Sequence, residues 1–544
     1  MVKKNPFLGF VTILSAAGLT LALFSGVGRE NLFKPHPWLM GFVFMLGLIA
    51  ATFGARLAIT YLRRAALRLV ASMQQRLYVA GLLVILGLGL YLRLLVIWGL
   101  PIAPSSDFET YYQLGKHLSQ GTLLLEGGGY RDYVAKFPHT IGFPMLVLYP
   151  VFSIFGASVS AALYANLTFC LGNILLSAFI GRRLGGRAMG LIAGALMAVW
   201  PSHVLYAGLV ASEPSFTFCV LLAFYVAFVL FSNGEGSIFR RYPKGAVLLY
   251  LVPGALLAMG GAIRPMAVIA LIALMLVLAF SREKEPGNGS LSALKARSLL
   301  CALVMLASYA MGSTLIKGVA QAQVGLPLVS GKDAFGYNVM VGVNTDSCGY
   351  WNEQDAVFFD EAYNKTGSAG MAHRAAMEVA LGRIKDNPLG MLKLVYDKYV
   401  AMWQQDGFGV DWVKLFSQQQ GILTDDWSAR LMSLRNMGEF LYLWVLVLVL
   451  QLLPSVLRSP RREYITLLLM FLGTAALHMA LETQVRYHYA VLPFFLLLAS
   501  AAVCKDFDIH DFKEQRLPAH PFAMLRLFKK KRLYNVGISK KPES

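Results

Sequence analysis

Residues 77–109 read Leu77-Tyr-Val-Ala-Gly-Leu-Leu-Val-Ile-Leu-Gly-Leu-Gly-Leu-Tyr-Leu-Arg93-Leu-Leu-Val-Ile-Trp-Gly-Leu100-Pro-Ile-Ala-Pro-Ser-Ser-Asp107-Phe-Glu109. Up to Leu100 the stretch is apolar except for Arg93, and a helix needs about 20 such residues to cross a bilayer. Pro101 and Pro104 end the run, and the acidic pair Asp107 and Glu109 follows at once. Carboxylates are scarce beside such spans, and each must be stabilised against loss of water. An acid pair at the mouth of a helix bundle is a candidate general base for a substrate that arrives through the membrane.

The same pattern recurs along the chain. Apolar segments fall at 7–27, 38–62, 77–100, 158–180, 188–206, 209–231, 246–263, 265–281, 298–319, 437–456, 463–482 and 488–504. A shorter run, Ile141 to Phe155, reads as a re-entrant or interfacial helix. The chain of 544 residues is 57% hydrophobic and 15% charged, with a mean hydropathy of +0.57. Soluble domains carry about 25% charged residues, so no soluble fold buries this many apolar runs. The expected fold class is an all-α polytopic membrane protein of about twelve transmembrane helices, with outer-face loops and a small extracytoplasmic segment.

A net charge of +19 invites a nucleic-acid reading, but the location of the bases excludes it. With the N-terminus inside, Arg63, Arg64, Arg68 and Arg76 are cytoplasmic, and so are Arg182, Arg183 and Arg187. Arg240, Arg241 and Lys244 follow, then Lys295 and Arg297, then Arg458, Arg461 and Arg462, and last the tail with Lys529-Lys-Lys-Arg532. This is the positive-inside bias, and it holds throughout only if 141–155 does not cross. Both termini are then cytoplasmic in a multi-pass protein of the cell membrane. The apolar run from Pro6 lacks a small-residue cleavage site and reads as a retained anchor. Of the five cysteines only Cys348 falls in an outer region, so no extracytoplasmic disulfide is available within the chain. No His/Cys cluster has metal-ligand spacing, and neither a metal nor a cofactor is implied.

Two regions are left outside, the loop 101–140 and the segment 320–436. The second carries Gly349-Tyr-Trp-Asn, Trp403-Gln-Gln-Asp and, from Asn387-Pro388 to Trp403, an amphipathic helix placed near the interface. It is long enough for a small domain or a set of surface helices.

Four outer sites carry candidate chemistry. Asp107 and Glu109 point about 200° apart on a helix, so one of them faces any cavity; the alternative for Asp107 is a solvated loop carboxylate or a helix cap after Ser105-Ser106. Lys136-Phe-Pro-His139 offers two side chains for a phosphate or a sugar, although a loop histidine is often simply solvated. Glu213-Pro214 opens a span, where the helix dipole accounts for a carboxylate, and Glu213 also stands where it can orient a sugar. Arg264, in Gly260-Gly-Ala-Ile-Arg264-Pro265, and Arg486, in Glu482-Thr-Gln-Val-Arg486-Tyr487-His488-Tyr, are outside cations against the inside bias. They either snorkel or pair with Glu482, or they clamp a lipid phosphate whose oxygens match a guanidinium. Tyr487 and His488 stand beside that clamp. Sugar transfer from a lipid phosphate needs this set: cations on the leaving phosphate and a carboxylate on the nucleophile, around an oxocarbenium-like transition state. No GxxxxGK[ST] is present, so no nucleotide is implied.

At these residues the chain resembles the GT-C membrane glycosyltransferases, in particular glycosyltransferase family 39, the protein O-mannosyltransferases and the lipid A aminoarabinose transferase. The family's Asp-Glu motif is matched by Asp107-Phe108-Glu109 with one residue inserted, followed by Tyr111-Tyr112 and Gly115. Its Pro-rich lead into the next helix is matched by Phe137-Pro138-His139 to Pro144, its acid before a span by Glu213-Pro214, its basic break by Arg264-Pro265, and its late Arg…Pro element by Arg486 to Pro493. The resemblance covers about residues 77–504, with the motifs in the family's order. It implies inverting transfer from a polyprenyl-phosphate sugar, with the first-loop Asp as general base and neither a nucleotide-sugar donor nor an obligatory metal. The expected partners are that donor, the bilayer, and a glycan, protein or lipid acceptor.

On this reading 1–76 is a two-span extension, 77–319 the catalytic transmembrane core with outer loop 101–140, 320–436 the extracytoplasmic segment that governs acceptor choice, 437–504 the last membrane helices, and 505–544 a basic cytoplasmic tail. Asp107 and Glu109 are the catalytic candidates. His139, Lys136, Glu213, Arg264, Arg486, Tyr487 and His488 are the substrate-binding candidates. A transporter or flippase of lipid-linked glycans is the competing class; it needs charges near mid-span, and Arg93 is the exception that keeps it open.

Overall fold

Apolar runs with helical length and no turn residues have one way to satisfy their backbone in lipid, which is to close their hydrogen bonds internally. In a computed structural model, which describes residues 6–27, 37–67, 69–126, 128–231, 245–280, 291–329 and 331–504, every regular element is a helix. Nine runs among the described residues are long and apolar enough to cross a membrane, and the chain is an all-α multi-pass membrane protein. Arg68, Arg240, Arg241, Lys244 and the tail 505–544 with Lys529 to Arg532 lie outside the described residues. So do the side chains of Arg63 and Lys295.

The twelve expected segments correspond to helices of the structure, with differences in length. Ala267–Phe280 and Leu492–Val503 are apolar but shorter than a full span, and segment 38–62 lies within the Pro37–Leu67 helix. Segments 158–180 and 188–206 correspond to the two arms of Val159–Val199, which leaves helical geometry at Gly185 and at Gly186, whose φ is 84°. The run folds back there. A Cβ on Gly190 would stand 2.7 Å from the Ala178 carbonyl, and one on Gly194 would stand 3.1 Å from the Ala178 Cβ. Two antiparallel arms therefore meet at a reversal flanked by Arg182, Arg183 and Arg187. Arg182 reaches Gln75 at 3.2 Å and Arg187 reaches Gln74 at 2.9 Å, tying the basic turn to the start of the Ala71–Gly99 helix.

The run from Ile141 to Phe155 belongs to a longer helical stretch. Pro138–Phe155 meets the length and hydropathy of a span. Its prolines at 138, 144 and 150 break it into a 3₁₀ turn, a π turn and a short α-helix. At its start the backbone lies directly on the end of the Leu251–Ile263 helix, where a Cβ on Gly142 would fall 1.9 Å from the Ala262 carbonyl. Only glycine allows that approach, and it sets His139 against the Arg264 break.

Between the Leu291–Val324 and Asp425–Arg458 helices the chain forms short helices with their own small core. Tyr337, Met340, Phe359, Ala372, Ala376 and Ala380 pack there, and Phe137 joins them from the first outer loop. The Pro388–Trp403 helix departs from the surface position expected of it. Leu389 and Leu392 are exposed, but Leu394, Lys398, Tyr399, Met402 and Trp403 are buried in the bundle. Lys398 explains the burial: its Nζ donates to the carbonyls of Gly342 at 2.7 Å, Met479 at 3.0 Å and Leu481 at 2.7 Å. An ammonium with three donors thereby caps the last carbonyls of the Arg462–Ala480 helix.

Candidate active site

Asp107 opens the Asp107–Gln120 helix, whose Phe108, Tyr111, Leu114, Gly115 and Leu118 make the buried stripe of an amphipathic helix. Phe108 is wedged among the rings of Tyr206, Trp412 and Phe416, with centroids 5.9–6.4 Å away. With Phe108 fixed, the neighbouring acids must diverge. Asp107 turns inward, and Glu109 is exposed on another face. The cap position belongs to Ser106, which makes no side-chain cap bond and sits at a φ of 56°. A non-glycine residue there stores about 1–3 kcal/mol of strain, a feature that clusters at functional sites.

Arg486 meets Asp107 from the far end of the sequence. Its Nη2 donates to Asp107 Oδ2 at 2.8 Å. The guanidinium lies between two rings, 5.2 Å from the centroid of Trp412 and 5.8 Å from that of Tyr487. The arginine side chain is 9% exposed and the aspartate 37%, so the carboxylate is the open side of the pair. Beside it, Arg264 donates from Nη2 to Glu213 Oε1 at 2.5 Å and from Nε to Ser212 Oγ at 3.0 Å. Glu213 is the first residue of the Glu213–Leu230 helix, and the bend before it is held by Asn166, which donates to the carbonyls of Leu209 and Ala211. Glu482 completes the set, accepting from Gln484 at 2.7 Å and from the Tyr487 hydroxyl at 3.1 Å.

These groups share one electrostatic environment. Burial pushes the Asp107 carboxyl up, but the charge and hydrogen bond of Arg486, with Arg264 and His139 behind, outweigh it and hold the group below the ordinary range. Burial likewise works against the Arg486 charge, and Asp107 with its neighbours more than reverses that. Arg264 is raised in the same way, by Glu213 and Tyr111 against burial. Glu482 goes the other way: burial lifts its carboxyl above the ordinary value despite Arg486. Three buried polar atoms of the cluster have no partner, Arg486 Nε, Glu213 Oε2 and the Tyr206 hydroxyl. Buried polar atoms are normally satisfied, and the pattern suits a site that awaits a polar ligand.

The structure thus brings together Asp107, Arg486, Tyr487, Arg264 and Glu213, with His139 in electrostatic reach of Asp107 and Arg264. Three sequence candidates stand elsewhere. Glu109 points away, as its helical phase requires. Lys136 pairs with Asp360 at 2.7 Å and lies over the Tyr363 ring. His488 is buried behind the cluster, its Nε2 2.7 Å from Asp406 Oδ1 and its Nδ1 2.7 Å from the Met402 carbonyl, so neither nitrogen is open to a ligand. It is a positioning residue for the Val485–His488 turn that carries Arg486. Asp406 was not legible as its partner; it accepts from Trp200 Nε1 at 2.6 Å and Ser202 Oγ at 2.8 Å as well. Its only sequence signal was the polar Trp403-Gln-Gln-Asp406 stretch. Tyr111 figured only in the family resemblance, and Ser212, Tyr206 and Trp412 were not singled out, because aromatic and small residues near spans carry no signal of their own.

Arg93 is explained without a transport pathway. It is fully buried, and it donates to the carbonyls of Ala198 at 2.9 Å and Met197 at 3.3 Å, at the end of the Val159–Val199 run. A cation on terminal carbonyls is favoured by the helix dipole. Among the described residues no three His, Cys, Asp or Glu side chains gather as metal ligands.

No family model matches the chain, and no curated protein does. Among solved structures the chain is similar to the oligosaccharyltransferase AglB of Archaeoglobus fulgidus in complex with an inhibitory peptide and a dolichol-phosphate, at 12% identity over 86% of this chain and 53% of that one, with a TM-score of 0.40. It is also similar to the apo form of the oligosaccharyltransferase from the same organism, at 12% identity over 86% and 55%, with a TM-score of 0.45. The chain spans about half the length of these proteins.

Proposed function

We propose that the protein is a GT-C type membrane glycosyltransferase that moves a sugar from a polyprenyl-phosphate donor to a hydroxyl acceptor, with inversion, at the outer face of the cell membrane. The observation that carries this is the contact of Asp107 with Arg486 across 379 residues of sequence, next to the Arg264–Glu213 pair. The ordered motifs of the family 39 resemblance support the same reading.

The roles follow from charge and access. Arg486 and Arg264 hold the donor phosphate and neutralise the charge that grows on it as the glycosidic bond breaks. Asp107, the exposed carboxylate, takes the acceptor proton. Glu213 is tied to Arg264 and fixes its direction, and His139 borders the sugar. Tyr487 flanks Arg486 and shares its hydroxyl with Glu482. Inversion is what the family 39 resemblance implies, with the acceptor oxygen attacking the face of the sugar carbon opposite the leaving phosphate. The acceptor is a protein, lipid or envelope-polymer hydroxyl, approached from the side of the 320–436 helices. Both termini are placed in the cytoplasm by the charge bias.

The competing reading is transport of lipid-linked glycan. It loses its main support in Arg93, whose Nη1 and Nη2 donate to helix carbonyls. Proteoliposomes loaded with polyprenyl-phosphate sugar, labelled in the sugar, separate the two. Glycosyl transfer predicts label leaving the prenyl phosphate when envelope extract is supplied. Label that crosses the bilayer with its phosphate bond intact would instead support transport.

A further inference from the structure

The proposed general base, Asp107, is hydrogen-bonded to Arg486, one of the two proposed phosphate-binding arginines. We propose, on the basis of the transferase reading above, that donor binding releases the base: the lipid phosphodiester takes Arg486 from Asp107, and only then is Asp107 free to accept a proton from the acceptor.

Three observations lead here. The Asp107–Arg486 bond is a single 2.8 Å contact rather than a two-pronged one, so a phosphate that offers two oxygens competes well for the same fork. Arg486 Nε is buried and has no partner, which leaves an idle donor beside the one in use. The two members also differ in freedom. Arg486 is 9% exposed and held between Trp412 and Tyr487, whereas Asp107 is 37% exposed on the first turn of its helix. A ligand therefore meets a fixed guanidinium and a carboxylate that can turn away.

The consequence is an order of events. While Arg486 sits on Asp107, the carboxylate is a weak base and its oxygen is engaged. The donor brings a negative phosphodiester to Arg486 and Arg264. Asp107 loses its hydrogen bond and gains a negative neighbour, both of which raise its proton affinity. The acceptor hydroxyl then gives its proton to Asp107 as its oxygen bonds to the sugar carbon. The bond from that carbon to the phosphate oxygen breaks, and its electron pair stays on the phosphate, held by the two arginines. The prenyl phosphate leaves, and Asp107 returns its proton to solvent and turns back to Arg486. An acceptor that arrives first, water included, meets an inactive base.

The test is a double-mutant cycle on binding. The probe is a short-chain prenyl methyl phosphodiester, which has no group that titrates near neutrality, measured by calorimetry on the full chain in detergent. If Asp107 competes for Arg486, Asp107→Asn tightens probe binding about three- to tenfold, a span set by exposed to partly buried ion pairs. The gain disappears in an Arg486→Met background. Asp107→Ser serves as a second variant, since Asn and Ser both suit a helix start. Unchanged or weaker binding in both Asp107 variants overturns the proposal, and so does a gain that persists without Arg486, which would mean a through-space field effect. If Arg486→Met and Arg264→Met bind the probe as tightly as wild type, the phosphate site itself is wrong and the gate falls with it. If those two lose affinity while the Asp107 variants gain none, the gate alone is wrong.

Discussion

Arg264→Met is the change that separates the architecture of the site from its chemistry. Arg264 is 14% exposed and Glu213 is 3% exposed. Removing one member of a buried ion pair costs about 3–5 kcal/mol, because the remaining charge is left without compensation. Glu213 begins a helix, and the dipole there recovers about 0.5–1 kcal/mol. The expected loss is therefore about 2–4 kcal/mol for Arg264→Met, and for Glu213→Gln the burial of Arg264 sets a similar scale. The double variant removes both charges, and replacing a whole buried pair is close to neutral, so its loss falls to about 0–1 kcal/mol. The four proteins are compared by unfolding in mixed micelles with rising anionic detergent. The single losses together far exceed the double loss, so a coupling of about 3 kcal/mol or more is expected. The double variant, although as stable as wild type, still loses affinity for a prenyl phosphodiester, because its guanidinium is gone. Simple additivity of the two single losses would refute the reasoning, since it would mean that the pair is neither buried nor coupled.

Three further outcomes follow from the same geometry. Gly142→Ala puts a Cβ 1.9 Å from the Ala262 carbonyl; its loss of thermal stability is expected at or above the top of the usual overpacking range of about 1–3 kcal/mol, whereas Gly128→Ala, with open space around it, changes little. Equal stability of the two would contradict the placement of the 138–142 turn. His488→Ala leaves Asp406 buried without its partner and is expected to lower stability by about 2–4 kcal/mol and to weaken donor binding through Arg486, with His488→Gln recovering part of both; wild-type behaviour of the alanine variant would remove His488 from the support of the clamp. Burial pulls Lys398 down to about 8 from an ordinary 10.5. Between those values the unfolded chain holds the extra proton, so wild-type stability rises with pH there relative to Lys398→Met; parallel pH curves for the two proteins would refute the burial of that ammonium.

The membrane fold was legible because lipid makes one demand on sequence, a long apolar run, and chains such as 77–100 meet it without regard to partners. The two-armed run was read as two spans because Arg182, Arg183 and Arg187 interrupt it, and the reversal proved to lie among those residues at Gly185 and Gly186. Ile141 to Phe155 reads as re-entrant because the run is short; successive 3₁₀, π and α turns through Pro138, Pro144 and Pro150 lengthen it to Pro138–Phe155. The site was legible only as a list of ionisable residues. Nothing in local sequence joins Asp107 to Arg486, because their contact depends on how distant helices pack. Helical phase did foretell that Asp107 and Glu109 would part. It was silent on Lys136 and His488, whose partners Asp360 and Asp406 lie on segments that looked like outer loops.

The central claim is that Asp107 is the base of a sugar-transfer site. It is tested most directly by the rate at which purified, reconstituted protein moves labelled sugar from polyprenyl phosphate to envelope acceptors, wild type against Asp107→Asn. The account predicts a loss of about 10²- to 10⁴-fold, the usual share of general base catalysis, with membrane insertion and thermal stability retained. Transfer at the wild-type rate by the Asn variant would contradict it.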